Sequence, residues 1–441
     1  MQHRPARFLD LHALHHAPAS LMNRGEHNEP KTLIVGSVQR AALSPQCQKR
    51  AQRTDIEDWL SEHAVRTRML PPRLSSHLVH QGWPAELAEF AAQQVARCAT
   101  SEGLKTNARA GHRTEAMVYT AEQHLLTDLA QICTDHQTQL ADALRKSEKQ
   151  TADTAAGAAP PAQEDDASIL AASVGQSRAS APAPAKKSRN PRILPTRQIS
   201  AILARRTACI DLFGRMLAGH DDSQVTGAVH VAWAFTTHAG DLQPDFFTAV
   251  EDWPAAGDPG SAHLDTALLT SGVFYRYATV NLTQLAENTG GDLAHAQRLA
   301  ELFMEAFLLS LPQAKRTSTA PHTLPDTAAY IVRDRRPVSY APAFEQPVEA
   351  AAAGGFLVPS RQALADYATL ATRMTGTRHR IGHGHLTLHP EPLAALGVHH
   401  DSYDTLIAAA LTDAALTSTS TSTSAPAGAP TRRGGRAKAT A

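Results

Sequence analysis

SGVFYRYATVNL, residues 271–282, and DLAHAQRLAELFMEAFLLSL, residues 292–311, decide the fold of this 441-residue chain. The first is rich in β-branched and aromatic residues and reads as a strand. In the second, Leu293, Ala296, Leu299, Ala300, Phe303, Phe307, Leu308 and Leu311 recur at helical spacing, and Pro312 ends the stripe. Working outward, VTGAVHVAWAFTT (225–237) reads as another strand, and LIV (33–35) as a short one ending at Gly36. FLDLHAL (8–14) is also a strand, with Phe8, Asp10, His12 and Leu14 facing opposite to Leu9, Leu11 and Ala13. From about 55 to 148 the pattern is mostly helical. Ile56, Trp59 and Leu60 open one segment there, and Leu125, Leu126, Leu129 and Ile132 lie in another. Strands and helices in this order predict an α+β sheet domain interrupted by a helical insertion.

Three segments stand apart. Residues 149–197 are rich in Ala, Pro and Ser and poor in aromatics, so they bury too little apolar surface to offset their ordering entropy and read as a disordered insert. The chain from about Thr417 repeats Ser and Thr and ends in TRRGGRAKATA, a flexible basic tail. Residues 239–270 form a long connection carrying Phe246, Phe247 and Trp253. Aromatics on a projecting element wedge between bases, and the plain alternative is a local mini-core.

Charge is balanced overall, 42 basic against 42 acidic residues. It is not balanced locally. APASLMNRGEHNEPKTLIVGSVQRAALSPQCQKRAQR (17–53) holds Arg24, Lys31, Arg40, Lys49, Arg50 and Arg53 against Glu26 and Glu29. Ser44 suits a helix N-cap and Pro45 the first helical position. Gln46, Lys49, Arg50 and Arg53 then fall on one face, while Cys47 and Ala51 point elsewhere to pack. A helix N-terminus followed by cations suits a phosphate backbone, and a solvated basic face is the plain alternative. The four cysteines show no metal or disulfide spacing. The N-terminus lacks the apolar core of a signal peptide, and no run is long enough to span a bilayer, so a soluble cytoplasmic protein without a membrane partner is expected.

Several long strings then agree in order and spacing with one family. FLDLHAL, ASLMNR ending at Arg24, Lys31, and the S-x-Q-x-x-KRA-x-R run from Ser44 to Arg53 carry the N-terminal part. GRM (214–216), AFTTH ending at His238, DFFTAVED (245–252), GSAHLDT (260–266), SGVFYRYATVNLTQLAEN (271–288) and PQAKR (312–316) carry the centre. The chain resembles the CasC-type backbone subunit of Cascade, the type I-E CRISPR surveillance complex.

That resemblance implies an RRM-like (ferredoxin-like) palm with a helical fingers insertion and a protruding thumb hairpin. It divides the chain into palm (1–54), fingers with the insert (55–204), palm (205–238), thumb (239–270), palm with C-terminal helices (271–416) and tail (417–441). It implies a non-catalytic antiviral protein, without cofactor or metal, whose copies line up along crRNA and hold its phosphates without reading sequence. Each thumb displaces one nucleotide, and the guide pairs with target DNA in segments. The implied partners are crRNA, target DNA, neighbouring copies, and the large, small, endonuclease and 5′-handle-binding subunits. Arg24, Lys31, Ser44, Gln46, Lys49, Arg50 and Arg53 match guide contacts; Met216 and Phe247, with Phe246 beside it, match residues flanking the displaced nucleotide; Lys315 and Arg316 match a basic pair of less certain role. Gly36-Ser37 and Gln39-Arg40-Ala41-Ala42 stand where relatives can show Gly-Gly and a denser basic run, and QPVEAAAAGG follows AFE (343–345) where relatives can have lysines.

Other readings are weaker. His383, His385 and His389 have metal-site residue types without an acidic or cysteine partner at suitable spacing. A crRNA-processing endonuclease would use His12, His15 or His16 as general acid and base. A generic RRM-type binder would use Tyr275 and Tyr277 to stack bases.

Overall fold

The computed structural model describes residues 6–156, 192–216, 223–253 and 261–415. Most of the 149–197 insert and the tail lie outside these residues. Within them, the helix that begins at Gln137 continues to Ala156 and the described chain continues from 192 into the helix at Thr196, so the two ends of the expected insert are ordered.

Strand β1 (Phe8–Ser20) leads through a loop to the hairpin β2 (Thr32–Val35) and β3 (Val38–Leu43), then to helix α1 (Pro45–Leu60). The insertion follows: β4 (Ala64–Thr67), α2 (Leu70–His80), α3 (Ala85–Cys98), β5 (Thr106–Asn107), β6 (Arg113–Thr114), β7 (Val118–Ala121), α4 (Leu125–Asp135), α5 (Gln137–Ala156) and α6 (Thr196–Leu203). Helix α7 (Ala208–Phe213) returns the chain to β8 (Val229–Val231) and β9 (Ala234–Thr236). Next come β10 (Gln243–Val250), β11 (Ser261–Asn281), α8 (Leu282–Asn288), α9 (Leu293–Leu309) and α10 (Arg316–Thr319). β12 (Thr327–Arg333), α11 (Leu357–Thr375), β13 (Arg380–Thr387), β14 (Val398–His399) and α12 (Tyr403–Asp413) complete the chain.

At the centre β12, β1 and β11 lie side by side, with β8 and β9 in line along the far edge of β11. All these pairings are antiparallel. Taken as β1–α1–β8/β9–β11–α9–β12, this is a ferredoxin-like βαββαβ unit with spatial order 4-1-3-2, and the α+β class read from the sequence holds. The helical insertion interrupts the first crossover.

Alternation along the strands assigns the two faces. Leu9, Leu11 and Ala13 of β1, with Ala278 and Val280 of β11, pack against Leu299, Phe303 and Phe307 of α9. Burying each of these phenylalanines contributes roughly 1.5–3 kcal/mol. Asp292 caps α9 by accepting the His295 N–H (3.0 Å). The opposite face carries Leu14, Tyr275 and Tyr277, and it too is covered, by Tyr340, Phe344, Leu364 and Ala368. Asp10 on this face accepts from Arg333 (2.8 Å), the Val338 N–H (2.9 Å) and Tyr277 (3.0 Å). Covered on both faces, this sheet has no open platform for bases.

The insertion has its own core around Leu74, Leu78, Ala91, Val95 and Leu129. It is less purely helical than its periodicity suggests, because β4 and β7 pair within it. A four-residue strand with two turns nearby is too short for alternation to register.

The other departure is β11 itself. Its 21 residues run past the sheet, and its first part pairs only with β10, from Gln243↔Leu269 to Val250↔Ser261. This hairpin protrudes: residues 241–249 are all exposed. Phe246 and Trp253 are 66% and 90% exposed, so the mini-core reading is set aside.

Candidate nucleic-acid interface

The basic stretch folds around Asn23. Its side-chain oxygen accepts the Ser44 N–H (2.7 Å), and its carbonyl accepts the Lys31 N–H (2.9 Å). One residue therefore fixes the Arg24 loop, Lys31 and the start of α1 relative to one another. Ser44 is buried and caps the helix, accepting the Cys47 N–H (3.3 Å). Cys47 donates to the Met22 carbonyl (3.4 Å), and burial pushes its thiol up to about 11 despite the nearby Lys31 and Arg50 charges. Lys31 lies 6.0 Å from the ring of Trp233, which is partly exposed between β8 and β9. Arg24, Gln46 and Arg50 are exposed and Lys31 is half-buried; Lys31 and Arg50 both lie near Cys47, while Arg24 donates to Asn28 (3.2 Å) in its own loop.

Lys49 and Arg53 correct the expectation of one continuous solvent face. Lys49 donates to the Val229 carbonyl (3.1 Å) and sits 5.9 Å from the Phe213 ring; burial, then the Arg66 charge, lowers its pKa. Arg53 donates to the Ala64 carbonyl (3.4 Å) and pairs with Glu57 at 3.8 Å. Both sit where α1 meets the insertion, and their charge reaches solvent only partly. Arg40 departs further from the surface. It is fully buried, donating to the carbonyls of Thr236 (2.9 Å) and Phe344 (3.3 Å), so it ties β3 to the segment covering the sheet.

Arg66, missed in the sequence, lies 4.4 Å over the Tyr119 ring, with Arg53 5.8 Å from the same ring. It extends the cationic surface onto β4. The available signal was the β-branched pair Val65 and Thr67 flanking it, too brief to raise a strand.

The apolar candidates stand on two separate elements. Met216 is 81% exposed at the end of a loop anchored by its neighbour Arg215, which is buried and donates to the carbonyls of Ser223, Ala204 and Arg205. Gly214 just before it has φ +81°, and a Cβ there would lie 2.6 Å from the Gly227 nitrogen, so only glycine fits. Phe247 is on the hairpin, less exposed than Phe246, with the Lys315 ammonium 5.7 Å from its ring. Arg316 begins α10 immediately after.

Of the histidine candidates, His12, His15 and His385 are buried in internal contacts, whereas His16 is exposed. His12 is fully buried, stacked 4.3 Å from Tyr340 and bonded to the Tyr275 hydroxyl (2.9 Å); burial, then the Arg333 charge, lowers its pKa to about 3. His15 is also lowered to about 3, by burial and then by Arg276. Burial thus favours the neutral form of both rings. His385 is buried and accepts the Leu393 N–H (2.8 Å). Among the described residues no cluster of His, Cys, Asp and Glu has metal-holding geometry. Tyr275 and Tyr277 are buried under the covering segment, which removes the base-stacking role of a generic RRM binder. No helix among the described residues is long and apolar enough to cross a membrane.

A ferredoxin-like sheet, a helical insertion, a protruding hairpin and exposed cations beside the start of α1 define the class: an α+β protein with a candidate phosphate-binding surface. The chain superposes on a chain of a CRISPR RNA-guided surveillance complex, pre-nicking, with a TM-score of 0.75 and 33% identity, covering 92% of this chain and 100% of that one. A chain of another CRISPR RNA-guided surveillance complex gives 0.68 and 30% identity, covering 92% and 99%. Over residues 9–407 the sequence matches the model of the CT1975-like protein family, and the chain belongs to that family. The CasC-type resemblance seen in the sequence holds. No curated protein sequence matches the chain.

Proposed function

We propose that this protein is the non-catalytic backbone subunit of a type I-E Cascade complex in the cytoplasm. Copies polymerise along crRNA, and each palm holds guide phosphates through the Arg24–Lys31–Arg50 patch, with Lys49, Arg53 and Arg66 at its fingers side. The hairpin of each copy crosses the guide of its neighbour, and Phe247, with Met216, flanks a displaced nucleotide. Target DNA then pairs in the segments between hairpins, with the large, small, endonuclease and 5′-handle-binding subunits completing the complex.

The observation that carries this reading is the pairing of a closed sheet with an open cationic edge. A sheet covered on both faces cannot stack bases, whereas a patch of flexible cations around a helix N-terminus suits phosphates of any sequence. A protein neutral overall needs its cations only where the polyanion lies. Purification with the neighbouring subunits tests this: a short RNA of uniform length should accompany the protein. Recovery of the assembled complex without RNA would contradict it.

A further inference from the structure

We propose that the end of the central sheet remote from the guide patch binds a DNA phosphate backbone through five exposed arginines, Arg7, Arg335, Arg336, Arg373 and Arg378. The choice of DNA rests on the guide-binding reading above; the cationic surface does not.

The fold gathers these residues from the ends of four elements. Arg7 precedes β1, and its N–H donates to the Arg333 carbonyl at the end of β12 (2.9 Å). Arg335 and Arg336 follow β12. Asp334, just before them, lies 2.9 Å from His379 Nδ1, and Arg333 faces Arg380 in the β12–β13 register. The loop that carries Arg378 therefore runs alongside. Arg380 in turn donates to Thr372 Oγ1 (3.1 Å), which brings in the last turn of α11 and Arg373. All five arginines are exposed, and none forms an ion pair with a carboxylate among the described residues.

Carboxylates at this end are engaged elsewhere: Asp334 with His379, Asp413 by the Tyr330 hydroxyl (2.8 Å) and Asp10 by Arg333 (2.8 Å). Five unpaired guanidinium groups on a chain of zero net charge create a local field that attracts a polyanion. Their planar forks fit phosphate oxygens two at a time. The 13 residues of β1 set this end roughly 40 Å from the Arg24 loop, too far for both ends to hold the same phosphates. With the guide at the opposite end, the backbone left for this one is that of the DNA it meets. Leu370 and Met374 on α11 add an exposed apolar strip, too small for the core of a protein interface.

The test uses the full chain loaded first with a short RNA, so that the guide patch is occupied, and then titrated with labelled DNA unrelated to it in sequence. Combining Arg335→Gln with Arg378→Gln should weaken duplex binding about 10-fold and lower the slope of log affinity against log salt by about 1.8. On single-stranded DNA the slope should fall by about 1.4, and the larger loss of affinity identifies the form of DNA held. RNA affinity and melting temperature should not change. Unchanged binding of both DNAs would overturn the proposal. So would an equal loss of RNA affinity, which would give this end to the guide. Intact DNA binding with loss of another subunit on co-purification would also overturn it, in favour of an acidic protein surface. If the unaltered protein binds no RNA, the guide-binding reading fails, while the variant's DNA affinity still decides this surface.

Discussion

The Lys315 ammonium lies 5.7 Å from the centroid of the Phe247 ring, joining the loop after α9 to the middle of the protruding hairpin. Lys315 adopts φ +50°, a left-handed conformation disfavoured for a non-glycine residue by about 1 kcal/mol, and its carbonyl accepts from Ser318 and Thr319. Its ammonium and the Phe247 ring form a cation–π contact between the loop and the hairpin. Removing it with Lys315→Met should forfeit about 0.5–1 kcal/mol of attraction and loosen the hairpin. A spin label at position 248 should show faster motion in the variant; identical spectra would contradict the coupling.

Arg50 and Lys49 are adjacent in sequence but should behave differently. Arg50 is exposed and Lys49 holds the Val229 carbonyl. Arg50→Gln should weaken guide binding uniformly across sequences, lower the slope of log affinity against log salt by about 0.7, and leave stability unchanged. Lys49→Met should cost stability as well, about 1–2 kcal/mol, from the lost bond. Titrations at several salt concentrations, paired with urea denaturation, separate the two.

Arg40 gives a purely structural contrast. Arg40→Met leaves the buried Thr236 and Phe344 carbonyls without this donor and should cost roughly 2–4 kcal/mol, read as a lower denaturation midpoint. A guide-binding defect without a stability loss would contradict the internal role.

Acid should destabilise the fold through its buried histidines. His12 and His15 stay neutral in the folded state down to about pH 3, while the unfolded chain protonates them near 6.5. Their stabilising preference is fully present above pH 6.5 and is lost progressively as pH falls below it, on the order of 1 kcal/mol per histidine per pH unit. Melting temperatures from pH 7.5 to 5 should fall, and His12→Gln should flatten the fall even if its starting stability is lower. Parallel curves would contradict this.

Legibility in the sequence followed length and periodicity. The α9 stripe and the strand at 271–282 are long enough to declare their period, and the Ser44-Pro45 start of α1 is capped as its residue types require. Burial was not legible. Arg40, Lys49 and Arg53 look like surface cations in a basic run, and only the fold brings carbonyls to them from residues up to 304 positions away. The covering of the central sheet was hidden too: Tyr275 looks like a base platform until Phe344, far along the chain, packs 5.1 Å from its ring. Phe246 and Trp253 offered two readings because exposure on a hairpin depends on what lies beneath it.

The central claim is that identical copies load along a guide by gripping its backbone. Native mass spectrometry of the full chain on RNAs of increasing length, each in two unrelated base sequences, tests it most directly. Bound copies should increase in regular steps with length, and the two sequences should give the same steps. A single copy at every length, or stepwise loading on only one of the sequences, would contradict it.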